Sequence, residues 1–321
     1  MRFSSSCLER HSSRRAELMN RNTTPADQLS LPGIDSPLLG QVKNDRHVMA
    51  YNFFPLSKEA KPHPIRYDDG KVAIEVRGED IATIYDKEIL IYVVSLMSQR
   101  VERGEDVGRQ FSFTAGDFFR VAGLSDGSGS YERIEGALGR LQGTQIRTNI
   151  VTGGERTREW FSWLDSAKVT YRKRKDKDGE MVERMEKITV TLCEWLWRAI
   201  KIDDAKFVYD PKFFELRPLE KRLYEIARAH CGRGGFRMWL DKLQVRVGSE
   251  DTQRKFRMNL KQIADRKRPL PGYAFTLIDR QVLNTAPRRG RPAKRTMVVF
   301  YRQDASIMET LNNADTLDLV E

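Results

Sequence analysis

Residues 118–148 read FFRVAGLSDGSGSYERIEGALGRLQGTQIRT, and residues 243–277 read LQVRVGSEDTQRKFRMNLKQIADRKRPLPGYAFTL. Each stretch predicts a short helix that ends at a glycine, then a polar turn, an amphipathic helix and a strand. The sequence VAG in the first stretch aligns with RVG in the second. Because the order of elements is shared although few residues are identical, the two stretches indicate tandem copies of one structural module.

A longer helix and a strand precede the first copy. In residues 85–105 apolar side chains recur on one helical face, and residues 109–115 alternate between apolar and polar side chains as in a strand. Ser130 is the predicted N-cap of the amphipathic helix that follows. The side chains predicted to bury this helix against the core are Tyr131, Ile134, Leu138 and Leu141.

Strands complete both copies. Residues 144–175 hold two β-rich runs separated by Thr-Gly-Gly-Glu, which is a hairpin signal. The second copy follows a helix in residues 217–232 and a strand in residues 235–240, and it ends in strands predicted at 271–283 and 296–302. Helix, turn, helix and hairpin in this order describe a winged helix-turn-helix.

The predicted fold class is therefore α+β, with two tandem winged-helix domains and a flexible N-terminal arm. The arm, residues 1–50, mixes Ser, Arg, Asn and Pro with little periodicity, which does not favour a packed element. The remaining boundaries are an N-terminal winged-helix domain at 51–204, a C-terminal winged-helix domain at 205–303 and an acidic tail at 304–321.

Positive charge is concentrated in the second copy. The chain of 321 residues carries 56 Lys and Arg against 45 Asp and Glu, a formal net charge of +11. Residues 251–295 alone carry 13 Lys and Arg against 3 Asp, a net charge of +10, whereas no Lys or Arg follows Arg302. This distribution favours a polyanionic partner for the second module.

Several classes of protein are not indicated by the sequence. Cys7, Cys193 and Cys231 are far apart and lack CxxC spacing, and the four histidines are scattered, so no disulfide framework or metal site is predicted. No phosphate-binding loop, carboxylate pair or nucleophile motif is present. We expect a protein of the bacterial cytoplasm without a membrane span, a cofactor or a catalytic residue.

The second helix of the second module is the strongest candidate for DNA contact. Phe256, Leu260 and Ile263 are predicted to face the core. Arg254, Arg257 and Lys261 then lie together on the outer face, where a helix of this kind enters the major groove. A solvated basic helix face is the alternative interpretation.

The sequence RRGRPAKR, residues 288–295, lies between the last two predicted strands, at the tip of the wing. Its core RGRP matches the AT-hook, in which Gly and Pro hold an extended backbone and two arginines enter a narrow minor groove. A solvated basic loop is the alternative. The DNA-binding residues predicted here are Arg288, Arg289, Arg291, Lys294 and Arg295.

The first module is expected to bind DNA more weakly, or to bind another protein molecule. Its second helix exposes Arg133 and Arg140 as candidate DNA contacts, but Glu132 and Glu135 would repel phosphate. The basic run at 172–180 is interpreted equally well as a charged turn or as a phosphate contact. Most tryptophans of the chain are expected in the core and not on a base-stacking surface.

Several long blocks, in the same order, resemble the plasmid replication initiator A family. They are FFPLSK, KVAIEVRG, IATIYDKEILIY, GSYERIEGALGRLQGTQIRTNI with TGG, LEKRLYEIARAHCG and FRMNLKQIAD, between residues 50 and 302. The resemblance implies a tandem winged-helix protein that binds repeated duplex sites, or iterons, at a plasmid origin. It also implies origin opening, loading of a host helicase, contact with a host initiator, and a homodimer that represses its own promoter.

The functional prediction is a non-catalytic, sequence-specific initiator of plasmid replication that binds double-stranded DNA. The alternative is a tandem winged-helix transcriptional repressor or plasmid partition protein. A third class, a nicking or nucleotidyl-transfer enzyme, predicts a covalent DNA adduct or a strand break in the presence of Mg²⁺.

Overall fold

The computed structural model describes residues 33–57, 63–154, 158–175, 179–203, 206–232, 235–281, 294–304 and 315–316. Residues 1–32 of the predicted arm, the RGRP sequence and most of the acidic tail lie outside these ranges. Residues 33–50 of the predicted arm belong to the folded chain, because strand β1 and helix α1 are formed there and Leu38, Val48 and Met49 are buried.

Helices and strands alternate along the chain in a mixed α/β order. The helices are α1 Arg46–Ala50, α2 Lys87–Glu102, α3 Ala115–Ala122, α4 Ser128–Gly143, α5 Glu194–Lys201, α6 Pro218–His230, α7 Leu240–Val247 and α8 Gln253–Ala264. The strands are β1 Lys43–Asp45, β2 Ile65–Asp68, β3 Ala73–Arg77, β4 Gln110–Phe113, β5 Gln145–Thr148, β6 Glu159–Ser162, β7 Leu164–Lys175, β8 Met181–Leu192, β9 Lys206–Val208, β10 Phe236–Trp239, β11 Tyr273–Gln281, β12 Lys294–Arg302 and β13 Asp315–Thr316.

The two halves of the chain repeat one topology. In the first, helix α2, strand β4 and helices α3 and α4 are followed by the β7–β8 hairpin, and the sheet order is β4-β8-β7. In the second, α6, β10, α7 and α8 are followed by β11 and β12, with the order β11-β12-β10-β13. In both, the early strand pairs antiparallel with the last one. The duplication predicted from the sequence is thus present in the strand pairing.

The first module contains an additional four-stranded sheet, with the order β2-β3-β5-β6. The sequence predicts one β-run between the Thr-Gly-Gly-Glu turn and residue 175, but the structure divides it at Trp163 into β6 and β7, which lie in different sheets. Trp163 is fully buried and its ring stacks on Phe54 at a centroid distance of 5.0 Å. Packing of this large side chain against the core accounts for the change of direction.

Glycines end the short helix before the turn in each module, as predicted. Gly123 follows α3 and Gly248 follows α7, both with left-handed backbone torsions that favour glycine. At Gly248 a Cβ would also lie 2.0 Å from Nδ2 of Asn52. In contrast, Ser130 is not the N-cap of α4: the helix begins at Ser128 after Gly127, and the Ser130 hydroxyl donates to the Ser125 carbonyl.

The predicted apolar stripes form the two cores. Ile134, Leu138 and Leu141 of α4 are buried in the first module, and Phe256, Leu260 and Ile263 of α8 are buried in the second. Tyr131 is half-buried against Phe119, at a ring-centroid distance of 5.1 Å. Helical periodicity therefore identified the inward face of both helices that follow the turns.

Charged side chains are buried where the two modules meet. Lys87 of α2 and Glu225 of α6 form an ion pair of 2.6 Å with neither side chain accessible to solvent. One turn away on α6, Lys221 pairs with Glu88, and Arg222 also bonds Glu225, at 2.6 Å. Because a buried charge without a partner is costly, these pairs hold the modules in one relative orientation.

Helix α1 is held between the modules by two buried arginines. Arg222 of α6 donates to the Met49 carbonyl at 2.9 Å, and Arg246 of α7 donates to the Ala50 carbonyl at 3.0 Å. Arg246 also donates to the Tyr67 hydroxyl of β2 at 2.6 Å. The last carbonyls of a short helix, which lack partners within the helix, are thus satisfied by the second module.

Replacement of Glu225 by Gln is expected to destabilise the protein by about 3–5 kcal/mol, because Lys87 and Arg222 lose their anionic partner in a buried site. Urea unfolding measures the change. The matched control is Glu183→Gln, which removes an equal charge from an exposed pair with Lys173 and is expected to cost less than about 1 kcal/mol. Equal effects of the two changes would contradict a structural role for the buried pairs.

His230 makes the stability of this region depend on pH. Burial, and then the neighbouring charges of Arg246, Arg46 and Arg222, lower the pKa of His230 to about 3. The Nε2 atom of His230 accepts a hydrogen bond from the Arg246 guanidinium at 3.2 Å. Between pH 3 and the ordinary pKa of about 6.5, the unfolded chain binds a proton that the folded chain does not, so folding stability falls as the pH is lowered.

Lowering the pH from 7 to 5 is expected to cost about 2 kcal/mol of unfolding free energy through His230, since the ordinary pKa lies about 1.5 units above pH 5. The variant His230→Gln keeps an acceptor for Arg246 without this titration. Urea unfolding of both proteins at pH 7 and pH 5 isolates the contribution as the difference between their pH dependences. The same loss in both proteins would show that His230 does not cause it.

Candidate nucleic-acid interface

Helix α8 presents a cationic outer face at the surface of the second module. The side chain of Thr252 caps its N-terminus by accepting from the Lys255 amide. Phe256 fixes the inward side of the helix. Arg254, Arg257 and Lys261 are exposed, as the spacing predicted, and Arg254 and Lys261 make no ion pair within the described residues. Two cations of this face are therefore available to an external anion.

Arg257 is held at the junction of α8 and the hairpin. Its Nη2 atom donates to both carboxylate oxygens of Asp279 on β11, at 2.8 and 3.1 Å, and the Thr296 hydroxyl of β12 donates to the same carboxylate at 2.7 Å. Both partners of the ion pair remain about half exposed. Asp279 thus restricts the guanidinium to the groove between helix and hairpin, which favours directional contact over a mobile charge.

The end of the hairpin next to its connecting loop carries two more arginines, Arg280 and Arg295, which face each other in the register of β11 and β12. The Arg295 guanidinium lies 4.4 Å from the ring centroid of Trp239 and donates to Asp241 at 3.0 and 3.1 Å. Arg288, Arg289 and Arg291 lie outside the described residues, and Lys294 is described only as backbone in β12. Their contact with a minor groove stays a prediction.

The candidate arginines of the first module are engaged within the protein. Arg140 donates to both carboxylate oxygens of Asp86 at 2.8 Å each, which raises the pKa of Arg140. Arg133 pairs with Glu88 at 3.3 Å and lies 5.3 Å from the Tyr85 ring. Both side chains join α4 to α2. Their contact with DNA also stays a prediction, and it would require partners other than the present ones.

The first hairpin supplies a second basic surface, which the sequence suggested only through the run at 172–180. Arg172, Arg174, Arg184 and Lys187 line a groove of about 560 Å³ that begins beside Thr114. Glu186 pairs with Arg172 at 2.9 Å and reduces the local charge. The surface is suited to phosphate contact, with less net positive charge than α8.

Two apolar side chains on the second module were not singled out by the sequence. Val245 of α7 and Met258 of α8 are each more than half exposed. Met258 follows Arg257 directly on the helix that carries the free cations. An exposed apolar side chain among cations suits contact with a thymine methyl group in the major groove.

In the part of the chain that the structure describes, no three His, Cys, Asp or Glu side chains come together as a metal site would require. Every described helix is too short or too polar to span a lipid bilayer.

Comparison with known proteins identifies the family. The replication initiator protein A family matches residues 43–275, most of both modules. The chain belongs to the replication initiator protein A family. A candidate replication protein of Wigglesworthia glossinidia brevipalpis is 32% identical over 212 residues, which cover 64% of this chain and 74% of that protein. The family resemblance noted in the sequence blocks is thereby confirmed.

Two crystal structures of RctB domains 2 and 3 share the fold of this family member. One superposes with a TM-score of 0.55 at 17% identity and covers 79% of this chain and 96% of RctB domains 2 and 3. The other has a TM-score of 0.52 at 14% identity, with coverage of 84% and 99%. At these identities the likeness concerns the mixed α/β fold alone.

Selection of binding sites from a random duplex pool tests the role assigned to Arg257. The variant Arg257→Ala is expected to lose about 1–3 kcal/mol of discrimination at one base position, because the guanidinium held by Asp279 can make a bidentate base contact. The control Arg302→Ala removes the same charge at the opposite end of β12, where Arg302 pairs with Asp304. An unchanged base preference in Arg257→Ala would reduce this residue to a phosphate contact.

Proposed function

We propose that the protein is a plasmid replication initiator that binds repeated duplex sites at its origin without itself catalysing a reaction. The observation that carries the proposal is the cationic face of α8 beside the β11–β12 hairpin, with Arg257 fixed between them by Asp279. Membership of the replication initiator protein A family supports the same role.

Both modules are proposed to be winged helices. Helix α8 would enter the major groove, since its outer side chains are exposed and its inner ones are committed to the core. The β11–β12 hairpin would then lie against the neighbouring groove, with Arg295 held against Trp239 near the loop and the RGRP sequence reaching a narrow, A·T-rich minor groove.

The two modules are proposed to contribute unequally to duplex affinity. The second supplies most of the duplex affinity, because Arg254 and Lys261 are unpaired in the described structure whereas Arg133 and Arg140 of the first module are bound to Glu88 and Asp86. The first module would add phosphate contacts through the β7–β8 hairpin. Origin opening, helicase loading, contact with a host initiator and promoter repression by a homodimer in the bacterial cytoplasm belong to the same proposal, through the family.

A repressor or partition protein with the same interface would bind the same sites. Replication in trans separates the two functions. A plasmid that carries only the origin of this replicon is introduced into cells that express the protein from the chromosome. Maintenance of the plasmid is expected, and it should be lost when both unpaired cations are replaced in Arg254→Ala/Lys261→Ala. Site binding without plasmid maintenance would instead favour a repressor.

A further inference from the structure

The sheet β2-β3-β5-β6 of the first module has an outer face that the proposed duplex interface does not use. Its inner face carries Tyr67, Ile74, Val76 and Ile146, which are buried in the core. Because successive side chains of a strand point to opposite faces, the intervening residues lie outside. The outer face is thus a platform four strands wide, about 14 Å across at the usual spacing of 4.7–4.9 Å between strands.

One row of this face crosses all four strands. The strand register places Arg66 opposite Glu75, Glu75 opposite Arg147, and Arg147 opposite Trp160. The ion pair from Arg66 to Glu75 measures 3.1 Å. The row therefore combines a positive end with an aromatic end, and the ion pair links neighbouring strands.

Trp160 is the most exposed of the large hydrophobic side chains in the described residues, with 67% of its surface accessible. Trp163 and Trp195 are fully buried, and Phe161 faces inward and stacks on Trp195. The Arg147 guanidinium lies 5.3 Å from the ring centroid of Trp160. This cation–π contact orients the indole at the sheet surface while a wide part of the ring stays open to solvent.

Arginines outnumber carboxylates on the platform. Glu75 is shared by three of them: Arg77 at 2.7 Å, Arg66, and Arg147 at 3.7 Å. The platform also includes the exposed residues Arg158 and Asp68. Its four arginines and two carboxylates give it a net charge of +2. All of these side chains except Arg77 line a shallow groove of about 320 Å³ that runs over β2, β3 and β5.

We infer that this platform, formed by Arg66, Arg77, Arg147, Arg158 and Trp160, binds single-stranded DNA. An open indole stacks on a base, and the arginines that surround it neutralise the adjacent phosphates. Inside a duplex every base is already stacked between its neighbours, so Trp160 has a partner only where a strand is unpaired. The net positive charge of the platform favours a polyanionic partner over a protein surface that carries few acidic side chains.

The inference extends the proposed function, because an origin that is being opened exposes single strands near the bound protein. The platform belongs to the first module, whereas α8 and its hairpin belong to the second. The two DNA forms would thus be bound by separate surfaces of one chain. No residue belongs to both surfaces, so each can be substituted separately.

The test is fluorescence anisotropy of the full-length chain with a labelled 20-nucleotide oligodeoxythymidylate, which forms no duplex. The variant Trp160→Ala is expected to lower affinity at least about fivefold, the minimum for the loss of one base stack. Trp160→Phe keeps a ring and should stay within about threefold of the parent protein. Affinity for a duplex should be unchanged in both variants.

Leu39→Ala is the control, since Leu39 is an exposed apolar side chain that belongs neither to the platform nor to the surfaces proposed for duplex contact. It is expected to leave oligonucleotide affinity unchanged. The inference is overturned if the parent protein does not bind the oligonucleotide, if Trp160→Ala binds it as the parent does, or if Trp160→Ala weakens duplex and oligonucleotide equally. Failure of the parent to select a duplex sequence would defeat the proposed function and leave the single-strand result standing.

Discussion

The buried ion pair between Lys87 and Glu225 joins the first helix of one module to the first helix of the other. The two residues on either side of Lys87 also form ion pairs with other helices. Asp86 binds Arg140, and Glu88 binds both Lys221 and Arg133, so three consecutive residues at the start of α2 hold α4 and α6 in place. Burial lowers the pKa of Lys87 to about 8, and the Glu225 carboxylate opposes this shift by favouring the charged ammonium. The relative placement of the two modules follows from this network.

The same network explains why two similar modules present different surfaces. Arginines of the second helix of the first module form ion pairs within the protein, and these pairs attach that helix to the start of α2. At the corresponding helix of the second module, the cations Arg254 and Lys261 have no internal partner in the described structure, and Arg257 is directed by Asp279 at the surface. The two corresponding helices thus differ in their ion-pair partners, which engage the arginines of one within the protein and leave cations of the other at the surface.

Sequence periodicity predicted the helices, the duplicated order and the inward faces, because these depend on neighbours three or four residues apart. It did not predict the partners of Arg133 and Arg140, since Asp86 and Glu88 are about 50 residues away and no local pattern links them. Trp160 is an intermediate case. Alternation along β6 places Trp160 on the opposite face of the strand from the core residue Phe161. The exposure of Trp160, however, depends on the additional sheet, which the sequence did not predict.

The most direct measurement is a titration of the full-length protein with duplex fragments of its own replicon, in the presence of an excess of unrelated duplex and at two salt concentrations. The account predicts selective binding to a repeated site, with log K falling against log salt at a slope of roughly −0.9 for each phosphate contacted. Equal binding to every duplex, with the same steep salt dependence, would contradict it and would reduce the cationic face of α8 to a nonspecific electrostatic surface.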